Sequence, residues 1–161
     1  MTAVLTTSGR IAIATAIKAR TAHMAWGTGD AAWGTTPPDP PASATALVAE
    51  VGRRKAQQVR FCTPDANGTI YVPEGRFNIT DTPTRYLVFQ FNFDFTEAST
   101  SIIREQAIFL DTVAAAGVPS GQFYLSPSEV ANPGTLLVVQ RPAPIQRAAT
   151  TRQFFENVVV F

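Results

Sequence analysis

The stretch from Arg85 to Phe95 constrains this chain most. Leu87, Phe89, Phe91, Phe93 and Phe95 fall on one side of an extended backbone, and Tyr86, Val88, Gln90, Asn92 and Asp94 fall on the other. Strict period-two alternation of this length specifies a β-strand with one dry and one wetter face. The phenylalanines of the dry face form a large share of any core, each contributing on the order of 1.5–3 kcal/mol when fully buried.

The surrounding sequence extends this β pattern. Ala22 to Trp26, Gly52 to Thr63, Thr69 to Val72, Phe77 to Ile79, Ser101 to Leu110, Phe123 to Leu125, Leu136 to Gln140 and Thr151 to Phe161 read as further strands. Asp65-Ala66-Asn67-Gly68 reads as a hairpin turn, because Asn-Gly accepts positive φ. Pro73-Glu74-Gly75 reads as a second turn. Residues 1–21 carry the helix: Thr6, Thr7 or Ser8 caps it, Ile13, Ala16, Ile17 and Arg20 share a side, and Lys18 and Arg20 suit its C-terminal dipole. Residues 31–43 form a long surface loop stiffened by Pro37, Pro38, Pro40 and Pro41. Thr45 to Val51 reads as one or two helical turns capped by Ser43. The expected fold class is therefore α+β and mostly β. One N-terminal helix packs on an antiparallel β-sandwich of seven to nine strands, and residues 22–161 form the β part of a single domain spanning 1–161.

Composition narrows the function classes. With 161 residues the chain is long enough for a core without disulfide or metal support, and its one cysteine, Cys62, forms no internal disulfide. The net charge of +1 offers no bulk attraction to nucleic acid or membrane. Charged residues are 16%, against about 25% in a typical domain, a surface easily covered by other protein. No apolar run approaches the length needed to span a bilayer, and the first residues lack the pattern of a secretory signal.

No strong catalytic, cofactor or metal constellation emerges. His23 is the only histidine and reads as a strand residue with a hydrogen-bonded ring. Gly27-Thr28-Gly29 precedes a proline loop rather than a helix, so it makes a poor phosphate cradle. Asp94 and Glu97 are the one nearby carboxylate pair that suggests glycan cleavage, although Asp94 opposes the phenylalanine face and reads as solvated. Arg53-Arg54-Lys55 reads as a solvated basic face or a protein contact rather than a phosphate site. Cys62 reads as an inert core residue. Trp26 reads as core and Trp33, in the proline loop, as an interface anchor.

Four stretches in order resemble the N-terminal domain of bacteriophage tail fibres, of the tail-collar fibre or baseplate-attachment type. They are Leu5-Thr6-Thr7-Ser8-Gly9 before the helix; Ala22-His23-Met24-Ala25-Trp26-Gly27-Thr28-Gly29-Asp30; Thr45-Ala46-Leu47-Val48-Ala49-Glu50-Val51-Gly52-Arg53; and Ile103-Arg104-Glu105-Gln106-Ala107-Ile108-Phe109-Leu110-Asp111. The resemblance covers residues 5 to about 111. It implies a non-enzymatic structural protein that attaches receptor-binding fibres to the phage tail or baseplate. It also implies other tail, baseplate and fibre proteins as partners, threefold or sixfold assembly with a homotrimer expected, synthesis in the bacterial cytoplasm, and a place in the virion. Relatives carry a shaft and a tip after this domain, so the expectation here is a standalone attachment or adaptor subunit. The expected interface residues are Arg10 at the helix start, Trp33 in the stiff loop and Phe161 at the apolar chain end. The alternative is a carbohydrate-binding β-sandwich contacting the host surface through Trp33 and Tyr124.

Overall fold

A computed structural model describes every residue from Met1 to Phe161. One helix, α1 (Thr7–Lys18), opens the fold. Strands follow as β1 (Ala22–Gly27), β2 (Glu50–Lys55), β3 (Gln58–Pro64), β4 (Ile70–Val72), β5 (Gly75–Thr80), β6 (Tyr86–Phe93), β7 (Ile102–Ile103), β8 (Glu105–Leu110), β9 (Val113–Ala114), β10 (Tyr124–Leu125), β11 (Val130–Asn132), β12 (Thr135–Gln140), β13 (Ile145–Gln146) and β14 (Gln153–Val160). The class is the expected α+β, mostly β, with one α-helix and antiparallel strand pairs. The strands outnumber the expected seven to nine because two long runs are cut in two and because β9, β11 and β13 are short pairings outside the expected runs. The run after Gly52 breaks at Ala56-Gln57, which separates β2 from β3, and Arg104 separates β7 from β8. The chain divides into two compact units, one of Met1–Arg20, Ala56–Phe91 and Phe154–Phe161, the other of Thr21–Lys55 and Asn92–Gln153.

The first unit holds α1 and a five-stranded sheet in the order β14-β6-β3-β5-β4. The Thr6 hydroxyl accepts from Gly9 N at 3.1 Å and caps the helix, which is shorter than the expected 1–21. Its inward stripe also differs from the expected one: Ala14 is fully buried and Ile11 and Ile17 are half-buried, whereas Ile13 is 40% exposed. Lys18 lies over the Phe61 ring, 5.5 Å from its centroid. Both sides of β6 are dry at this end. Leu87, Phe89 and Phe91 bury on one face, while Val88 joins Cys62, Ile70, Val72, Phe77 and Val158 on the other. Phe95 lies past the end of the strand and is 41% exposed, so the expected dry face stops at Phe93.

The Asn67-Gly68 turn is real, with Gly68 N donating to Asp65 O at 2.9 Å, but it does not join paired strands. Strand β5 lies between β3 and β4. Neither Asn67 nor Gly68 has positive φ. Glycine is required at 68 because a Cβ there would lie 2.5 Å from the Phe77 carbonyl oxygen. The two-residue hairpin is instead at Pro73-Glu74, where Val72 pairs with Gly75.

The second unit is built on the sheet β10-β2-β1-β8-β12, with two small ladders, β11-β9 and β13-β7. Strand β1 is central and every residue in it is buried. The helical turns expected at Thr45 to Val51 are absent, and Glu50 and Val51 begin β2. Two neighbours claim the backbone groups a helix would use. Val48 N donates to the Glu105 carboxylate at 2.7 Å, and Ala49 O accepts from Thr28 N at 2.8 Å. Trp26 stacks on Phe93 with ring centroids 3.5 Å apart and packs as the core residue its strand position predicts.

Candidate interface site

The proline loop begins with a single 3₁₀ turn, Ala31–Trp33, capped by Asp30, whose carboxylate accepts from Ala32 N at 2.8 Å. The turn presents Trp33 half-buried, with the Arg141 guanidinium carbon 4.2 Å from its ring centroid. Gly29, at φ 56°, passes so close that a Cβ would sit 2.4 Å from the indole. Arg141 also reaches the loop backbone, donating to Pro38 O at 3.1 Å and Asp39 O at 3.4 Å. Its Nε lies 3.2 Å from the Glu105 carboxylate, which is itself 1% exposed. A buried acid on β8 therefore holds an arginine after β12, and that arginine holds the loop. Glu105 lies inside one of the motif stretches, where its burial was not evident. Arg141 stands alone before Pro142 and carried no signal in the sequence.

The first arginine of the basic cluster is not part of a solvated face. Arg53 is 2% exposed. It grips both Glu50 carboxylate oxygens at 2.7 Å, donates to Thr112 Oγ1 at 2.9 Å and Pro133 O at 2.8 Å, and lies 4.2 Å over the Phe109 ring. Burial decides its role: an arginine with its donors all directed inward fastens loops rather than meeting phosphates. Arg54 pairs with Glu97 and faces the Phe123 ring at 5.8 Å. Lys55 is exposed. Arg147, 1% exposed, donates to the carbonyls of Asp94 at 2.7 Å, Glu97 at 3.1 Å and Thr151 at 3.1 Å. Burial pushes its pKa down, with Glu97 and Tyr124 opposing that shift.

The suggested acid pair is occupied by these same ties. Asp94 Oδ1 takes Arg152 Nε at 3.0 Å, and that hydrogen bond with one from Phe95 N holds the carboxyl below its usual range. The other Glu97 oxygen accepts from Asp94 N at 2.8 Å. His23 is buried beside an open cavity of about 260 Å³ lined also by Lys55, Thr112, Ser120 and Gln122. Its Nδ1 has no hydrogen-bond partner. Burial, then the charges of Arg53 and Lys55, lower its pKa to about 4. Cys62 is fully buried, with its thiol pushed up to about 11.

Of the expected interface residues, Arg10 and Phe161 belong to the first unit and Trp33 to the second. Arg10 is half-buried in the first turn of α1. Phe161 is half-buried, its amide donating to Arg85 O at 3.0 Å. The α-helix spans twelve residues, and no helix is long and apolar enough to cross a membrane.

No curated protein matches the chain. The sequence model of a phage family, the baseplate wedge 3 tail fiber network component, matches residues 2–161. The ordered motifs of the first two thirds and the match over nearly the whole length agree: the chain belongs to this family of structural components of the bacteriophage baseplate and tail.

Proposed function

We propose that this protein bridges receptor-binding fibres to the baseplate, as a non-enzymatic adaptor acting as one attachment domain over residues 1–161. The family match over residues 2–161 carries the reading, because that family is a component of a baseplate and tail-fibre network. Docking runs through the Trp33 loop, with Arg10 and Phe161 as further contacts. The clip on Trp33 supports this: Arg141 and Glu105 fix an otherwise extended loop in one shape before any partner arrives. A preorganised surface loses less conformational entropy on binding.

Two observations weigh against a sugar-binding role. A stacking platform needs an open aromatic face, and Arg141 covers one side of Trp33. Tyr124, half-buried, donates its hydroxyl to Val51 O at 3.1 Å and packs on Phe93 in a T-shaped contact with centroids 6.5 Å apart.

Electron microscopy of the purified phage tests the proposal. Density for this chain is expected where the fibres meet the baseplate. Density elsewhere in the particle, or retention of fibres on particles lacking the chain, would sink the bridging role. Trp33→Ala, which keeps the Arg141–Glu105 pair, should shed fibres while leaving the chain folded.

A further inference from the structure

Strand β14 is the outer strand of the first unit's sheet, and Glu156 is the one charged residue along it. It is eight residues long and contains no lysine or proline, whereas the opposite edge, β4, has three residues. Its alignment on β6 follows from three ties. Phe161 N donates to Arg85 O, Gln90 Nε2 donates to Glu156 Oε1 at 2.8 Å, and Val158 shares a cluster with Val88. The amide of Phe161 faces β6, so those of Val159, Asn157 and Phe155 do as well. The amides and carbonyls of Phe154, Glu156, Val158 and Val160 face outward.

The two exposed apolar side chains of this edge lie symmetrically about Asn157. Phe154, three residues before it, is 55% exposed, and Val160, three after it, is 48% exposed. The Asn157 Oδ1 is buried and has no hydrogen-bond partner.

We propose that β14 pairs antiparallel with β14 of a second copy of this chain, about a two-fold axis through Asn157. A two-fold axis normal to a continuous sheet has to pass through a residue, because neighbouring residues point to opposite faces. Centring on Asn157 sets Phe154 against Val160 of the partner subunit, so the two most exposed apolar groups of the strand cover each other. Glu156 then meets Val158 of the partner subunit. The Asn157 carboxamides meet across the axis as a non-hydrogen-bonded pair, where a turn about χ2 lets each oxygen take the other's N–H. The neighbouring registers are worse. Centring on Glu156 opposes two carboxylates, which is destabilising. Centring on Val158 leaves Phe154 with no residue of β14 opposite it.

Light scattering on the full chain during size-exclusion chromatography gives the first test. The expected mass is twice 17.3 kDa, falling towards the monomer on dilution. A monomer at all concentrations, or the trimer that the family resemblance implies, would overturn the proposal. The second test reads the register. A Cα separation of about 4.5 Å across a non-hydrogen-bonded pair admits a disulfide. Asn157→Cys should therefore cross-link into dimers under mild oxidation, while Glu156→Cys does not. Buried Cys62 does not compete. Equal cross-linking by the two variants overturns the register. Phe154→Lys should weaken dimerisation at least tenfold with an unchanged melting midpoint for the monomer; undiminished dimerisation counts against the proposal even if the cysteine variants fail to fold.

Discussion

Replacing Arg53 by methionine tests whether the basic cluster fastens the second unit from within. Methionine keeps much of the aliphatic stem, so the change isolates the guanidinium. Four hydrogen bonds of 2.7–2.9 Å are lost, along with the stacking on Phe109. The abandoned groups do not suffer equally. Thr112 still donates to Pro133 O at 2.9 Å, so those two satisfy each other. Glu50 is left as the uncompensated charge, and its side chain is 18% exposed, so water recovers part of the loss. Breaking a buried pair costs about 3–5 kcal/mol, and the partial solvation of Glu50 places the expectation near 3. With a urea m-value of about 2–3 kcal/mol/M, the unfolding midpoint should fall by about 1–1.5 M at constant m. Adding Glu50→Gln should recover about 1–2 kcal/mol, because the stranded charge is then gone. A loss below about 1 kcal/mol, as for an exposed pair, would refute the reasoning, as would a double variant no more stable than the single one.

Three further outcomes follow from individual groups. The pKa of His23 is about 4 in the folded protein and 6.5 in the unfolded chain, so the unfolded state binds more protons between these values. Stability should therefore decline by roughly 3 kcal/mol as pH falls from 6.5 to 4, and His23→Gln should remove that slope in acid titrations of unfolding. Cys62 should react with thiol reagents only in denaturant, because the buried thiol, with a pKa near 11, supplies almost no thiolate at neutral pH; rapid labelling of the native protein would contradict its burial. Gly29→Ala places a Cβ against the indole at a positive φ. It should cost about 1–3 kcal/mol and raise hydrogen exchange across residues 30–43, and unchanged exchange would show that Trp33 does not anchor the loop.

The sequence was most readable where one local rule acts alone. Alternation in β6 identified the strand and the burial of Leu87, Phe89, Phe91 and Phe93, and Thr6 is among the caps expected for α1. Errors arose wherever a distant partner outbid a local preference. Thr45 to Val51 has helical spacing, yet the Glu105 carboxylate takes the Val48 amide from 57 residues away. Arg53-Arg54-Lys55 has the look of a wet basic face, yet Phe109, Thr112 and Pro133, all remote in sequence, help bury the first, and Glu97 pairs with the second. Val88 sits on the side of β6 that should be wetter, but Val158 and Cys62 bury it. The site followed the same rule. Trp33 stood out as an aromatic in a stiff loop, whereas the arginine that clips it comes from 108 positions later and has no local signature.

The four prolines of the loop separate two ways of making a docking surface. If the loop were disordered until a fibre bound it, Pro37, Pro38, Pro40 and Pro41 would act mainly on affinity, by lowering the entropy lost on docking. Here the loop is already tied: Arg141 binds Pro38 O and Asp39 O, and Trp33 is seated beneath its guanidinium. The entropy the prolines remove then belongs to the unfolded chain, and each compatible proline is worth about 0.4–1 kcal/mol of folding stability. Replacing all four by alanine should lower the unfolding free energy by about 2–4 kcal/mol. Affinity for the isolated fibre, read by calorimetry, should stay within about twofold, since less than half a kcal/mol of ordering is left for the binding step. The reverse pattern, unchanged stability with affinity reduced tenfold or more, would mean that the partner orders the loop and that the arginine clip forms only in the complex.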